Sequence, residues 1–139
     1  MKKLVTLSLI LVTLMGCSAQ KGKDGDSNYT IIKKETYGGS ETAGNKTITS
    51  QDQLAKLYAE LNLEDVPTID FSKKNVVAQF LGQKNTGGFS ITIGSVEIKN
   101  NTATVRVLET TPNGGMATMA LTAPYYIASI PKTDKVIFE

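Results

Sequence analysis

Few side chains in this sequence are suited to chemistry, and one type is missing altogether. The 139 residues contain one cysteine, no histidine and no tryptophan. Without histidine there is no Ser-His-Asp or Cys-His nucleophile and no imidazole to hold a metal. A single cysteine excludes an intrachain disulfide, a Cys-x-x-Cys redox pair and a cysteine-built zinc site. What remains is a set of carboxylates around Pro67 (Glu64, Asp65 and Asp70), the pair Ser72-Lys73, three glycine pairs and Cys17. Carboxylates do acid–base work when their surroundings drive their pKa values apart. Here a polar stretch surrounds them, so a solvated loop is expected. A weak calcium site is the other reading, although the spacing matches no EF-hand loop. A serine with a lysine base needs no histidine, yet Ser72-Lys73 precedes a strand and carries no nucleophile elbow. Gly38-Gly39, Gly87-Gly88 and Gly114-Gly115 lack the Lys-Ser/Thr of a phosphate loop, and none stands at a strand-to-helix junction. Turn geometry is their expected role. The chain is therefore read as non-catalytic, with no cofactor and no metal site.

Cys17 has a different chemistry open to it. Lys2 and Lys3 precede an apolar run of twelve residues, Leu4 to Met15. A membrane-spanning helix needs roughly 18 or more such residues, so the run is too short to cross and suits a signal-peptide core. It ends in Leu14-Met15-Gly16-Cys17, which resembles the lipobox of bacterial lipoproteins. That processing needs a small residue before the cut and a thiol after it to accept a diacylglyceryl group. Residues 1–16 are accordingly expected to be a signal peptide, and Cys17 the lipid attachment site. Residues 17–28 would form the lipidated cysteine and a flexible tether, since Ser18 to Asn28 holds no bulky apolar side chain. Several acyl chains on one residue hold a protein stably at a membrane. The expected location is the bacterial cell envelope, and Ser18 after the cysteine points to the outer membrane by enterobacterial sorting habits.

The charge balance agrees with a partner other than nucleic acid. The chain has 15 basic and 13 acidic residues, and removing residues 1–16 takes two lysines and leaves 13 of each. No basic excess remains to argue for nucleic acid or anionic lipid.

Residues 29–139 are read as a single mainly β domain. The expected architecture is an antiparallel, sandwich-like arrangement of six or seven strands with one amphipathic helix over residues 50–62. Tyr29 to Tyr37 is rich in β-formers, and Gly38 to Lys46 is read as a surface loop. Ser50 can cap a helix while Gln53 reaches back to the cap amide. Leu54, Leu57, Tyr58 and Leu61 then form one apolar stripe, and Pro67 stops the helix. Val76 to Leu81 is almost continuously apolar, which suits a central strand covered on both faces. Between Phe89 and Thr111 the apolar parity flips at Gly94-Ser95. An Asn100-Asn101 turn sets Ile98 against Ala103 and Val96 against Val105, and a β-bulge near Gly94 then sets Ile93 against Val107. Met116 to Leu121 and Pro124 to Ile130 are read as two strands or one bent one. A turn at Pro131 to Asp134 leads into Val136-Ile137-Phe138. Lys33-Lys34 and Lys73-Lys74 suit solvated faces or gatekeepers of edge strands.

The run Phe80-Leu81-Gly82-Gln83-Lys84-Asn85-Thr86-Gly87-Gly88-Phe89-Ser90-Ile91-Thr92-Ile93 resembles the core motif of the PrcB C-terminal domain family. The resemblance continues through Val96, Val105, Val107, Glu109, Pro112, Met116-Ala117, Leu121, Pro124-Tyr125 and Ile130-Pro131-Lys132, and covers residues 76–138. Phe89 departs from it, because the family usually has tyrosine there. The family takes its name from a subunit of a spirochaete surface protease complex. The resemblance implies a non-catalytic, membrane-anchored lipoprotein that binds a protein partner, as an accessory or stabilising subunit of an envelope or surface protease. Candidate contact residues are the turn Asn85, Thr86, Gly87, Gly88 and Phe89, the turn at Pro112 and Asn113, and whichever of Tyr125 and Tyr126 faces outward on its strand. Two alternatives stand beside this reading. Asn85 to Phe89 loosely resembles the binding loop of chagasin-type cysteine-protease inhibitors, without its proline. A lipoprotein binding a small ligand or glycan would instead need a concave, aromatic-lined pocket.

Overall fold

A computed structural model describes residues 28–114 and 119–139 of the chain. The expectations for the signal peptide, Cys17 and most of the tether lie outside these residues, as does the part of the Met116–Leu121 strand before Met119.

The order of elements among the described residues is β1 (Thr30–Glu35), β2 (Gly44–Ile48), α1 (Gln51–Glu60), β3 (Lys74–Phe80), β4 (Ser90–Lys99), β5 (Thr102–Thr110), β6 (Tyr125–Pro131) and β7 (Lys135–Phe138). They form two sheets, one ordered β1-β6-β3-β2 and the other β4-β5-β7. The architecture is the expected mainly β sandwich with one helix. All neighbours run antiparallel except β5 and β7, which are parallel.

The strands alternate between two apolar layers. Val77, Tyr126, Ala128 and Ile130 point to the three-stranded sheet and pack with Ile91, Ile93, Val96, Ala103 and Val105. Val76, Ala78, Phe80, Tyr125 and Ile127 point the other way and pack with Leu54, Leu57 and Tyr58 of the helix. The molecule is thus three layers deep: helix, four-stranded sheet, three-stranded sheet. Central strands buried on both faces lose the alternation of polar and apolar residues, which is why β3 and β6 both read as apolar runs.

Ser50 caps α1, its hydroxyl accepting a hydrogen bond from the Gln53 amide at 3.3 Å. Gln53 reaches one residue further back than expected, accepting from the Thr49 amide at 2.9 Å and not from that of Ser50. The helix also ends earlier than residue 62. Asn62 adopts a left-handed conformation at φ 52°, and the Leu63 amide bonds to the Tyr58 carbonyl at 2.8 Å. Asparagine tolerates that conformation and so ends the helix well ahead of Pro67. The Gln51 amide group then holds the returning chain, donating to the Pro67 carbonyl at 2.8 Å and accepting from the Ile69 amide at 3.1 Å.

The β4–β5 hairpin has the expected register. Ile98 faces Ala103, Val96 faces Val105 and Ile93 faces Val107, with a shift between Ile93 and Ser95. Asn100 and Asn101 both take positive φ, 50° and 57°, as a two-residue hairpin turn requires.

Two expectations about strands are corrected. Gly44 to Lys46, read as the end of a loop, belongs to strand β2, which pairs with β3 from Gly44–Phe80 to Ile48–Val76. Its sequence is polar because four of its five residues are exposed at the sheet edge. Met119 to Leu121 is not a strand, and only Thr122 forms an isolated bridge, with Lys84.

Candidate functional site

The strand directions divide the molecule into two poles. β1, β3 and β5 end at one pole, where β2, β4 and β6 begin, so the loop segments 36–43, 81–89, 111–114 and 119–124 gather there. The chain enters β1 at the opposite pole, beside the Asn100-Asn101 turn and the β6–β7 turn.

Backbone hydrogen bonds bind the three loops together. The Gly39 amide donates to the Ala123 carbonyl and the Ala123 amide to the Thr36 carbonyl, each at 3.0 Å. The Gln83 amide reaches Glu41, also at 3.0 Å, and Lys84 and Thr122 exchange two bonds at 2.7 and 2.9 Å. Thr122 is 1% exposed, and its hydroxyl donates to the Thr86 carbonyl at 3.0 Å. The threonine therefore fixes the bend of the 85–89 turn.

Glycine permits the closest approaches. A Cβ on Gly39 would meet the Ala123 carbonyl oxygen at 2.4 Å. Gly88 has φ +88°, and a Cβ there would meet the Pro112 ring at 2.8 Å. Gly39 and Gly88 thus let neighbouring loops touch.

The expected contact residues fall into three groups. Asn85, Gly88, Pro112 and Asn113 are exposed, with Thr86 half-buried between them, and Gly88 against Pro112 brings the two turns side by side. Gly87 is buried, and Phe89 is half-buried against the inter-sheet core, with the Lys84 ammonium 5.4 Å from its ring centre. Tyr125 and Tyr126 form the third group, and here the expectation of one outward ring is overturned. They are 1% and 0% exposed. They do point to opposite faces, but β6 is central and each face is covered. Tyr125 stacks on Phe80 with ring centres 6.0 Å apart, on the helix side. Tyr126 donates its hydroxyl hydrogen to Gln79 between the sheets. Burial pushes both phenols up, that of Tyr126 the further, and Glu35 adds to the effect on Tyr125.

The aromatic and apolar groups that do reach solvent at the loop pole are others. Met119 is 91% exposed, Leu121 61% and Tyr37 59%. Tyr37 follows Thr36, and Leu121 lies two residues before Ala123, so the Thr36–Ala123 bond holds their segments together. Sequence reasoning missed these residues. The available signal was an apolar stretch, Met116 to Leu121, between glycine and proline that lacks a partner of matching length.

The other candidates take ordinary roles. Glu64, Asp65 and Asp70 are exposed. Asp70 accepts hydrogen bonds from the hydroxyl and amide of Ser72, which hold its carboxyl below the usual range, with Lys132 and Lys74 adding to the effect. Ser72 is thereby committed to a turn before β3. Among the described residues no three His, Cys, Asp or Glu side chains gather as a metal site. The hollow between the β1–β2 loop and the end of α1 is about 220 Å³, with Phe80 and Leu61 on its wall, smaller than the roughly 300–1,000 Å³ usual for ligand pockets.

No curated protein and no solved structure matches the chain. A family model described as PrcB C-terminal matches residues 75–131. The match begins at β3 and ends with β6, so it takes in the two central strands, the bulged hairpin and two of the three loops at the pole. β1, β2, α1 and β7 lie outside it. The stretch 75–131 is thus similar to the PrcB C-terminal family.

Proposed function

We propose that this chain is a lipid-anchored envelope protein that makes no and breaks no bonds of its own, and binds a protein partner through the loop pole. The observation that carries the reading is the arrangement of the two ends. Tyr37, Met119 and Leu121 are exposed on a hydrogen-bonded loop surface at the pole opposite the point where the chain enters the domain. Exposed apolar groups gathered on a rigid support are the usual makings of a protein contact. Three of the four sheet edges are poor alternatives. β1 carries a bulge and the Lys33–Glu35 ion pair, β4 carries a bulge, and β7 is four residues long. Such devices discourage strand addition.

The family supports the finer proposal that the partner is an envelope protease and that binding stabilises it. A photo-crosslinking amino acid at Leu121, used in intact cells, should capture a protease that an active-site probe also labels. The same group at Asn100, on the opposite pole, should not. Equal capture from both positions would contradict the loop-pole reading. If the captured enzyme were instead a papain-type protease blocked at near-equal stoichiometry, the inhibitor alternative would hold. Labelled palmitate should enter the native chain and not the Cys17→Ser variant, which tests the anchor separately.

A further inference from the structure

The pole where the chain enters the domain has its own chemical character. Lys74 pairs with Pro131, and the Lys132 amide bonds to the Lys73 carbonyl at 2.9 Å, which groups three lysines at the end of the four-stranded sheet. Lys99 and Lys135 both pair with Thr102 and place two more at the end of the other sheet. All five are exposed. The ion pairs among the described residues engage Lys33, Lys46 and Arg106, and none of these five. Lys132 also donates to the Phe71 carbonyl at 2.7 Å. Asp70 and Asp134 lie among these lysines, and Glu97 stands two residues before Lys99 on β4. The loop pole is balanced, with Glu35, Glu41, Glu60 and Glu109 near its rim against Lys33, Lys34, Lys46 and Lys84.

Beside these lysines lies an open hollow of about 300 Å³, walled by Asn28, Tyr29, Thr30, Lys73, Lys74 and Ser129. Its ammonium groups and the Thr30 and Ser129 hydroxyls are donors of the kind that hold a phosphate, while the Asn28 amide and the Tyr29 hydroxyl already donate to the Val96 and Ile93 carbonyls. Asn28, on its wall, lies two residues before β1.

We infer that this pole is a docking face for an anionic phospholipid surface, which orients the domain with its loop pole away from the membrane. The inference deepens the proposed lipid anchor and rests on it. A tether would hold the domain near the bilayer without choosing its orientation. Each lysine drawn to an anionic surface favours the docked orientation about five-fold, and the effect acts only within a Debye length of about 10 Å. The anchor supplies proximity, and the five lysines supply direction.

The test uses the full chain carrying its own acyl anchor, reconstituted into vesicles of phosphatidylcholine alone or mixed with phosphatidylglycerol. Vesicle flotation reports the anchor, and amine acetylation read lysine by lysine by mass spectrometry reports the docking. The expected result is flotation with both vesicles. Lys73, Lys74, Lys99, Lys132 and Lys135 should be labelled several-fold more slowly on the mixed vesicles only, with Lys34, Lys56 and Lys84 unchanged. High salt should abolish the protection without releasing the protein. In a K73E/K132E variant, Lys74, Lys99 and Lys135 should lose protection while the circular dichroism spectrum stays native. Equal labelling on the two vesicle types, with the protein afloat, overturns the docking face and leaves the anchor standing. A chain that floats with neither vesicle overturns both.

Discussion

Strands β3 and β6 lie at the middle of the four-stranded sheet, with a helix over one face and a second sheet over the other. Strands β4 and β5 have one covered face and one that meets solvent. Their residues show the difference directly. From Tyr125 to Ile130 every side chain of β6 is buried, whereas β5 alternates Ala103 and Val105, buried, with exposed Arg106 and Leu108. Two similar apolar contents thus have different consequences. A large side chain in β6 has no outward direction, so Tyr125 and Tyr126 both become core. A large side chain in β5 can face water, and Leu108 does so at 58% exposure.

The largest effect expected from this contrast is a cavity. Ile127→Ala, at a site with no exposure, should cost about 2–5 kcal/mol of stability in urea unfolding. Leu108→Ala should stay within about 0.5 kcal/mol. Comparable losses in the two variants would erase the distinction between the sheets.

Tyr126 allows a finer probe. Tyr126→Phe removes the donor to Gln79 and should cost about 1–3 kcal/mol, since the buried amide oxygen is then left unpaired. The same residue gives the fold a pH dependence. Burial raises the folded-state pKa of Tyr126 above the ordinary 10.0, and those of Tyr58 and Tyr125 shift the same way. Below pH 10.0 both folded and unfolded states hold the phenol protons, so these groups change nothing. Above it the unfolded state ionises first and stability falls as pH rises. Unfolding curves from pH 8 upward, roughly spanning the ordinary tyrosine range, should show that decline. Tyr126→Phe should blunt it, and the other two tyrosines should retain the remainder.

The helix that covers β3 and β6 is pinned at its start. Ser50→Ala should cost about 1 kcal/mol, readable in the same unfolding curves, and no comparable cap exists over the open face of the other sheet to be lost. The smallest effect on stability belongs to the loop pole. Leu121→Ala should move the unfolding free energy by no more than about 0.5 kcal/mol, while crosslinked partner recovered from cells falls. A variant that loses stability but keeps its partner would assign Leu121 to the fold and not to a contact.

Local rules carried much of this molecule. The hairpin was legible because its register depends on a turn, a parity flip and one glycine, all close together in sequence. The helix was legible because its cap and apolar stripe are local too. Residues 85–89 and 112–113 could be recognised as turns from glycine, asparagine and proline alone. Tertiary structure decided what no local pattern contains. β2 is a strand because β3 offers it an edge, and its own polar residues could equally have been a loop. Tyr125 and Tyr126 are core because layers distant in sequence cover both faces of β6. Thr122 joins Lys84 and Thr86, and Gly88 meets Pro112, only once β3 and β6 have paired. Composition and spacing determine which segments can be strand, helix or turn. Which face is covered, which loops meet and where the chain enters are set by long-range packing, whose energy comes from contacts between parts of the chain that the sequence keeps far apart.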